Sequence, residues 1–350
     1  MYLFRALFDE ALLAELFAGF PLILLLCVIV ICVAILSKGA DWMVDGAVAM
    51  ATRTGISQIA IGATIVSLGT TMPETFVSVL AAWMGNPGLA LGNAVGSIIA
   101  DTGLIFGLTC LIAATPANRY ILNRTGWVQV GSATLLVLIA VISLAMAPEH
   151  PFLSRWVGIL FLILLVLYII ITMRWARESP LPPALKETAQ PHAPWSLLKC
   201  WIYIVGGLSL VIVGARGLIP CAAETALRLG VPNDVIAATM VALGTSIPEL
   251  ITAIAAIRKG HPEITVGNIV GADVLNCLFV IGASAAVSPL AIPVNFYFFH
   301  FPAMLLILYS FRAFIFINRD GTFKRWQGGW LLALYLAYVI IQYSLKTSPL

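Results

Sequence analysis

Charge is scarce in this sequence: Asp, Glu, Lys and Arg together make up 10% of its 350 residues. Soluble globular domains carry about a quarter, so an ordinary water-soluble fold is excluded. The net charge of +3 says little about soluble partners, and no nucleic-acid partner is expected. Paired cysteines are missing too. Cys27, Cys32, Cys110, Cys200, Cys221 and Cys277 are scattered through apolar stretches without a C-x-x-C pair, which argues against a disulfide framework or structural zinc. They are expected to pack as small hydrophobes. The four histidines are far apart and give no metal-ligand spacing. A phosphate-binding Gly-rich loop, a nucleophile elbow and a zinc signature are all lacking, so neither an enzyme, nor a cofactor, nor ATP hydrolysis as an energy source is expected. The first 18 residues, with Arg5, Asp9, Glu10 and Glu15, show neither a basic n-region nor a cleavage site. A secretory signal peptide is therefore not expected, and the first apolar span serves as the insertion signal.

What is abundant is apolar surface: 61% of residues are hydrophobic, and the mean hydropathy is +1.02. The apolar runs are of a length to cross a hydrocarbon core of about 30 Å. They do not alternate as barrel strands would, so the fold class is an all-α polytopic membrane protein. Ten spans are predicted, at 20–50, 57–84, 88–114, 126–147, 153–174, 197–227, 233–258, 262–287, 292–316 and 328–345. The one long polar connection, Arg174 to Trp195, is rich in Pro and charge and reads as a tether between halves.

The second half repeats the first at the separation of Glu74 and Glu249, 175 residues. Without gaps, Thr64, Gly69, Thr70, Pro73, Glu74, Gly92, Asn93 and Gly96 align with Thr239, Gly244, Thr245, Pro248, Glu249, Gly267, Asn268 and Gly271. Five spans per copy is an odd number, so the second copy enters the membrane from the opposite side. Two inverted five-helix repeats result, an architecture whose substrate sites lie at the midplane between repeats. The expected division is a polar segment 1–18, a first repeat 19–174, a linker 175–196 and a second repeat 197–350. Arg53, Arg119, Arg124, Arg258 and Lys259 fall on the linker side, so the linker is expected in the cytoplasm and both termini outside.

Each copy places a carboxylate inside a span, in Gly69-Thr70-Thr71-Met72-Pro73-Glu74 and Gly244-Thr245-Ser246-Ile247-Pro248-Glu249. Proline removes a backbone hydrogen bond and clashes with the carbonyl four residues earlier. Carbonyls near Ser67 and Thr70, and near Ala242 and Thr245, are thereby freed beside hydroxyls, and such oxygens suit hard cations. A single copy fits equally well a kinked helix with a protonated Glu bonded to its neighbour. Two copies favour function, because ionisable groups at membrane depth are costly. One helix further on, Gly92-Asn93 to Asp101 and Gly267-Asn268 to Asn276 carry a Gly-x-x-x-Gly spacing whose plain meaning is close helix packing. Asp101 follows Glu74, and Asn276 follows Glu249, by the same 27 residues. About a pseudo-twofold axis, Glu74, Asp101, Glu249 and Asn276 would form a ring of oxygens suited to sodium, calcium or magnesium rather than zinc or copper.

These segments resemble the alpha repeats of the cation/calcium antiporter superfamily, in its prokaryotic-type sodium/calcium exchanger branch. The pattern there is G-T-S-x-P-E followed by G-N-x-x-G-S-N-x-x-N. The resemblance implies that Glu74 and Glu249 bridge the central ion and that Asp101 and Asn276 complete the ring. It implies flanking sodium sites lined by Thr70, Thr71, Thr245 and Ser246 with the carbonyls of Ser67 and Ala242, one of them joined by Ser97. Two departures stand out: Ile98 replaces the first Asn after Gly-Ser, and Ala272-Asp273 stands where Ser-Asn is common. The missing hydroxyl at Ala272 puts one sodium site in doubt. Asp273 could be a vestibule carboxylate, a proton site, or a structural group at a helix terminus. Lys38, Asp41 and Asp45 on the first span, with Arg216 at the repeat equivalent of Asp41, are expected to be ion-paired or near an interface, and Arg216 is the candidate partner of Asp41.

Three carboxylates, Glu74, Asp101 and Glu249, balance three sodium ions but not one calcium ion, so Asp101 is expected to take up a proton when calcium binds. The function implied is secondary exchange of sodium for calcium by alternating access, with the two ions and the bilayer as partners and a monomer in a prokaryotic inner membrane as the expected form. Exchange against protons or potassium is the alternative within the class. A passive cation channel, and last a non-transporting scaffold, are the alternatives outside it.

Overall fold

In lipid every backbone polar group must be satisfied within its own element, so apolar runs of this length become helices. The computed structural model describes residues 16–113, 115–116, 119–178, 195–229, 246–318 and 320–344. In chain order the helices are α1 (Leu22–Thr54), α2 (Gln58–Thr70), α3 (Met72–Trp83), α4 (Pro87–Ile112), α5 (Arg119–Met146), α6 (Arg155–Glu178), α7 (Leu197–Arg228), α8 (Ile247–Arg258), α9 (Pro262–Val287), α10 (Phe296–Ile317) and α11 (Arg325–Ser344). Among the described residues seven are long and apolar enough to cross a membrane, eight with the bent pair α2 and α3, whose axes differ by 44°. Every predicted span has its helix. The seventh, 233–258, is described from Ser246 onward, and most of the linker and of the N-terminal segment lies outside the described residues. The fourth span begins earlier than its apolar run, at Arg119 rather than 126. Within this added turn the Arg124 guanidinium lies 3.9 Å from the Tyr120 ring centre and donates to the Tyr120 carbonyl at 3.1 Å.

The repeat survives in the element boundaries. α3 and α8, and likewise α4 and α9, begin and end at equivalent residues, and α1 and α7 start together. The stop before each central helix is a glycine in the left-handed region, Gly85 at φ +80° and Gly260 at φ +77°, where other residues are strained. Pro87 and Pro262 then open α4 and α9, a position where a missing N–H costs nothing. Both helices widen midway into π turns, Ala100–Phe106 and Asn276–Val280.

α4 and α9 are the centre, with 72% and 83% of their apolar windows buried, against 22% for α1 and 28% for α7. α1 and α7 lie along each other outside this core, and so closely that a Cβ on Gly207 would stand 2.5 Å from the Gly39 carbonyl oxygen. α9 crosses α2 the same way: a Cβ on Gly267 would stand 2.1 Å from the Ile59 oxygen. Small residues give membrane helices this approach, since lipid supplies no hydrophobic drive between them. Two antiparallel strand pairs join the repeats. β1 (Thr115–Pro116) pairs with β4 (Thr322–Phe323), and β2 (Phe152–Leu153) pairs with β3 (Leu290–Ala291). Asp41 and Asp45 on α1 meet Lys259 in the turn after α8. Its Nζ is 2.6 Å from Asp45 Oδ1 and 3.9 Å from Asp41 Oδ1, and it donates to the Asp41 carbonyl at 3.0 Å.

Candidate ion-binding site

The break between α2 and α3 falls at Thr71, two residues before Pro73, and puts Glu74 in the first turn of a new helix. Ser246, Pro248 and Glu249 do the same for α8. A carboxylate in the first turn of a helix faces the positive end of the backbone dipole. Asp101 and Asn276 stand at the starts of the two π turns, a widening that often marks functional sites. α3 packs on the π turn of α9, and α8 packs on the π turn of α4. Each Glu-bearing helix therefore meets the π turn of the opposite repeat.

All the described candidate residues are buried: Ser67, Thr70, Thr71, Glu74, Ser97, Asp101, Ser246, Glu249 and Asn276. Thr245 and Ala242 lie outside the described residues. The Thr70 hydroxyl of the first repeat lies beside the Glu249 carboxyl of the second. It is also 3.3 Å from the Ser67 carbonyl and 3.3 Å from Asn268 Oδ1 on α9. Asp101 has Glu249, Asp273 and Ser246 around its carboxyl. The Glu74 carbonyl accepts from Asn93 Nδ2 at 3.4 Å, and the same amide reaches Ser78 Oγ at 3.0 Å. The repeats thus interdigitate at Thr70, Asp101, Ser246 and Glu249.

Among the described residues many of these oxygens have no hydrogen-bond partner: both of Asp101, Glu249 Oε2, Asn276 Oδ1, Thr71 Oγ1 and Ser246 Oγ. Each such group left bare in an apolar interior costs roughly 1–3 kcal/mol, more when charged. A hard cation is the partner that several oxygens converging without donors can share. Among the described residues no three His, Cys, Asp or Glu side chains form a metal cluster by themselves, so carboxylates, hydroxyls, amides and carbonyls would have to act together. Sequence reasoning missed two residues beside the site, Thr102 and Gln129, both of which bond Asp273. The signal available was a lone Gln inside the apolar run of α5.

The family model described as sodium/calcium exchanger protein matches residues 24–174 and 199–344, most of both repeats. The chain belongs to this exchanger family. The exchanger is 27% identical to the sodium/calcium exchanger MaX1 of Methanosarcina acetivorans, over 87% of this chain and 95% of that one. It is 30% identical to the inner membrane protein YrbG of Escherichia coli, over 88% of this chain and 93% of that one. Its structure superposes on that of the sodium-calcium exchanger NCX_Mj, soaked with sodium and strontium ions, with a TM-score of 0.76 at 26% identity, covering 91% of this chain and 99% of that one. The described residues of the exchanger, with seven or eight membrane-crossing helices in two matching repeats, fit the all-α architecture that its sequence implies.

Proposed function

We propose that this chain exchanges sodium for calcium across its membrane by alternating access to a single site where the repeats meet. The observation that carries the reading is the meeting of Thr70 and Asp101 from one repeat with Ser246 and Glu249 from the other, among buried oxygens that lack donors. Glu74 and Glu249 would bridge the central ion, with Asp101 and Asn276 completing its shell. Thr70, Thr71, Thr245, Ser246 and Ser97, with the carbonyls of Ser67 and Ala242, would line the flanking sodium sites. Ions that share these ligands cannot be bound together, and this competition is exchange. With Glu74, Asp101 and Glu249 ionised, three sodium ions neutralise the shell. One calcium ion leaves one negative charge, which a proton on Asp101 removes. If three sodium ions exchange for one calcium ion and that proton, the cycle is electroneutral; three sodium ions against calcium alone would move one net charge per cycle, worth about 2.3 kcal/mol per 100 mV of membrane potential. The repeats 19–174 and 197–350 would be the two structural units, joined by a cytoplasmic linker in a prokaryotic inner membrane.

Radioactive calcium uptake into sodium-loaded proteoliposomes tests the reading. Uptake should need internal sodium, fail with choline inside, and fall to background in Glu249→Gln. Uptake driven only by an imposed proton gradient, without sodium, would replace the reading by proton exchange. Currents far above turnover rates and independent of a counter-ion would replace it by a channel.

A further inference from the structure

Around Asp273 the two repeats stop matching. Thr102 Oγ1 donates to Asp273 Oδ2, and Gln129 Nε2 donates to the same oxygen at 2.5 Å. All three residues are buried, so this polar trio is shielded from water. At the repeat offset their counterparts are Ile98, Cys277 and Met304, which are equally buried. Hydrocarbon and a thiol therefore satisfy the same place in the fold, and the polar trio answers no packing requirement.

The trio is also incompletely bonded. Among the described residues Asp273 Oδ1 and Gln129 Oε1 are buried without a hydrogen-bond partner, as are both oxygens of Asp101. Asp101 and Asp273 are near enough for their charges to act on each other. Two carboxylates repel in a low dielectric, and buried charge persists where it is paired or bound to a metal ion. Carboxylate and amide oxygens together are the donor set of a hard cation. We propose that Asp101, Asp273 and Gln129 form a further cation subsite, off the pseudo-twofold axis, that takes one alkali-metal ion, sodium or potassium. Thr102 and the Gln129 amide hold Asp273 in place from one side and leave its second oxygen for the ion. Asp273 is one carboxylate beyond the three of the central shell, so the subsite adds one monovalent ion to the load. Its part in coupling rests on the exchange reading.

The test counts ions. Purified full-length protein in detergent is titrated with radioactive sodium and, separately, with radioactive rubidium as the potassium probe. Asp273→Asn should bind one alkali ion fewer at saturation than the parent, and the isotope that loses the site names the ion. Gln129→Met, which copies the second repeat's residue, should do the same and keeps the test available if Asp273→Asn does not fold. In proteoliposomes the number of alkali ions moved per calcium ion should fall by one. Equal saturation in parent and variants overturns the subsite, as does a lost ion replaced by a proton on a trapped pH dye. A parent that does not exchange sodium for calcium overturns the exchange reading, while the binding count still decides the subsite.

Discussion

Asp101 and Asn276 occupy equivalent positions at the openings of the two π turns, yet one side chain can ionise and the other cannot. That difference carries a prediction. Asp101→Asn keeps the shape and the carbonyl oxygen but removes a charge, so calcium binding should persist while the sodium dependence of uptake weakens, with half-saturation moving to higher sodium. Uptake measured against internal sodium checks this, and a sodium curve identical to the parent's counts against a charge role for Asp101. The paired Glu residues could be read from sequence because they recur with their Gly, Thr and Pro in register. The bonds of Asp273 could not. Thr102 and Gln129 reach it from two other helices, 171 and 144 residues away in sequence. The repeat offers no second copy to point to them, since the counterpart of Gln129 is Met304. The partner of Asp41 and Asp45 escaped for a similar reason: Lys259 read as one more loop charge, and only the packing of α8 against α1 turns it inward.

Among the elements, α9 is the most enclosed, and its contact with α2 is backbone on backbone. Gly267→Ala would bring a methyl group to 2.1 Å from the Ile59 oxygen and 3.0 Å from the Ala63 nitrogen. Overpacking of this kind costs roughly 1–3 kcal/mol, more where main chain must move. The variant should melt at a lower temperature in detergent by size-exclusion thermostability and lose uptake. Gly131→Ala, at an exposed point of α5 with no heavy atom near its Cβ among the described residues, should melt at or slightly above the parent, because alanine favours a helix by roughly 0.5–1 kcal/mol. Equal melting of Gly267→Ala and the parent would mean that α2 and α9 are free to part. Element existence and boundaries were largely legible, because each repeat marks its stops with Gly and its starts with Pro. The π turns were not, since nothing in an apolar run announces an extra residue per turn.

For the molecule as a whole, the excess of Arg and Lys on one side predicts that the linker lies in the cytoplasm. A cysteine placed at Ser179, in a background with the six native cysteines replaced, should resist a membrane-impermeant thiol reagent in intact cells and react after permeabilisation. Reaction in intact cells would invert the topology and with it the direction assigned to calcium. The same whole explains how motion can be confined. Strand pairs β1–β4 and β2–β3 fasten loops of one repeat to loops of the other, whereas α1 and α7 lie outside as a closely joined pair. With α6 they are the least enclosed of the candidate membrane spans.

The mismatch between Asp273, Thr102 and Gln129 on one side and Ile98, Cys277 and Met304 on the other bears on ancestry. A pair of identical five-helix proteins inserted in opposite directions must carry every side chain twice, so whatever one copy gains its mate gains as well. Fusion of the two genes lifts that constraint, and a lone acidic residue can then enter one half while hydrocarbon stays in the other. The asymmetric trio is a feature that two non-identical halves can carry and a pair of identical ones cannot.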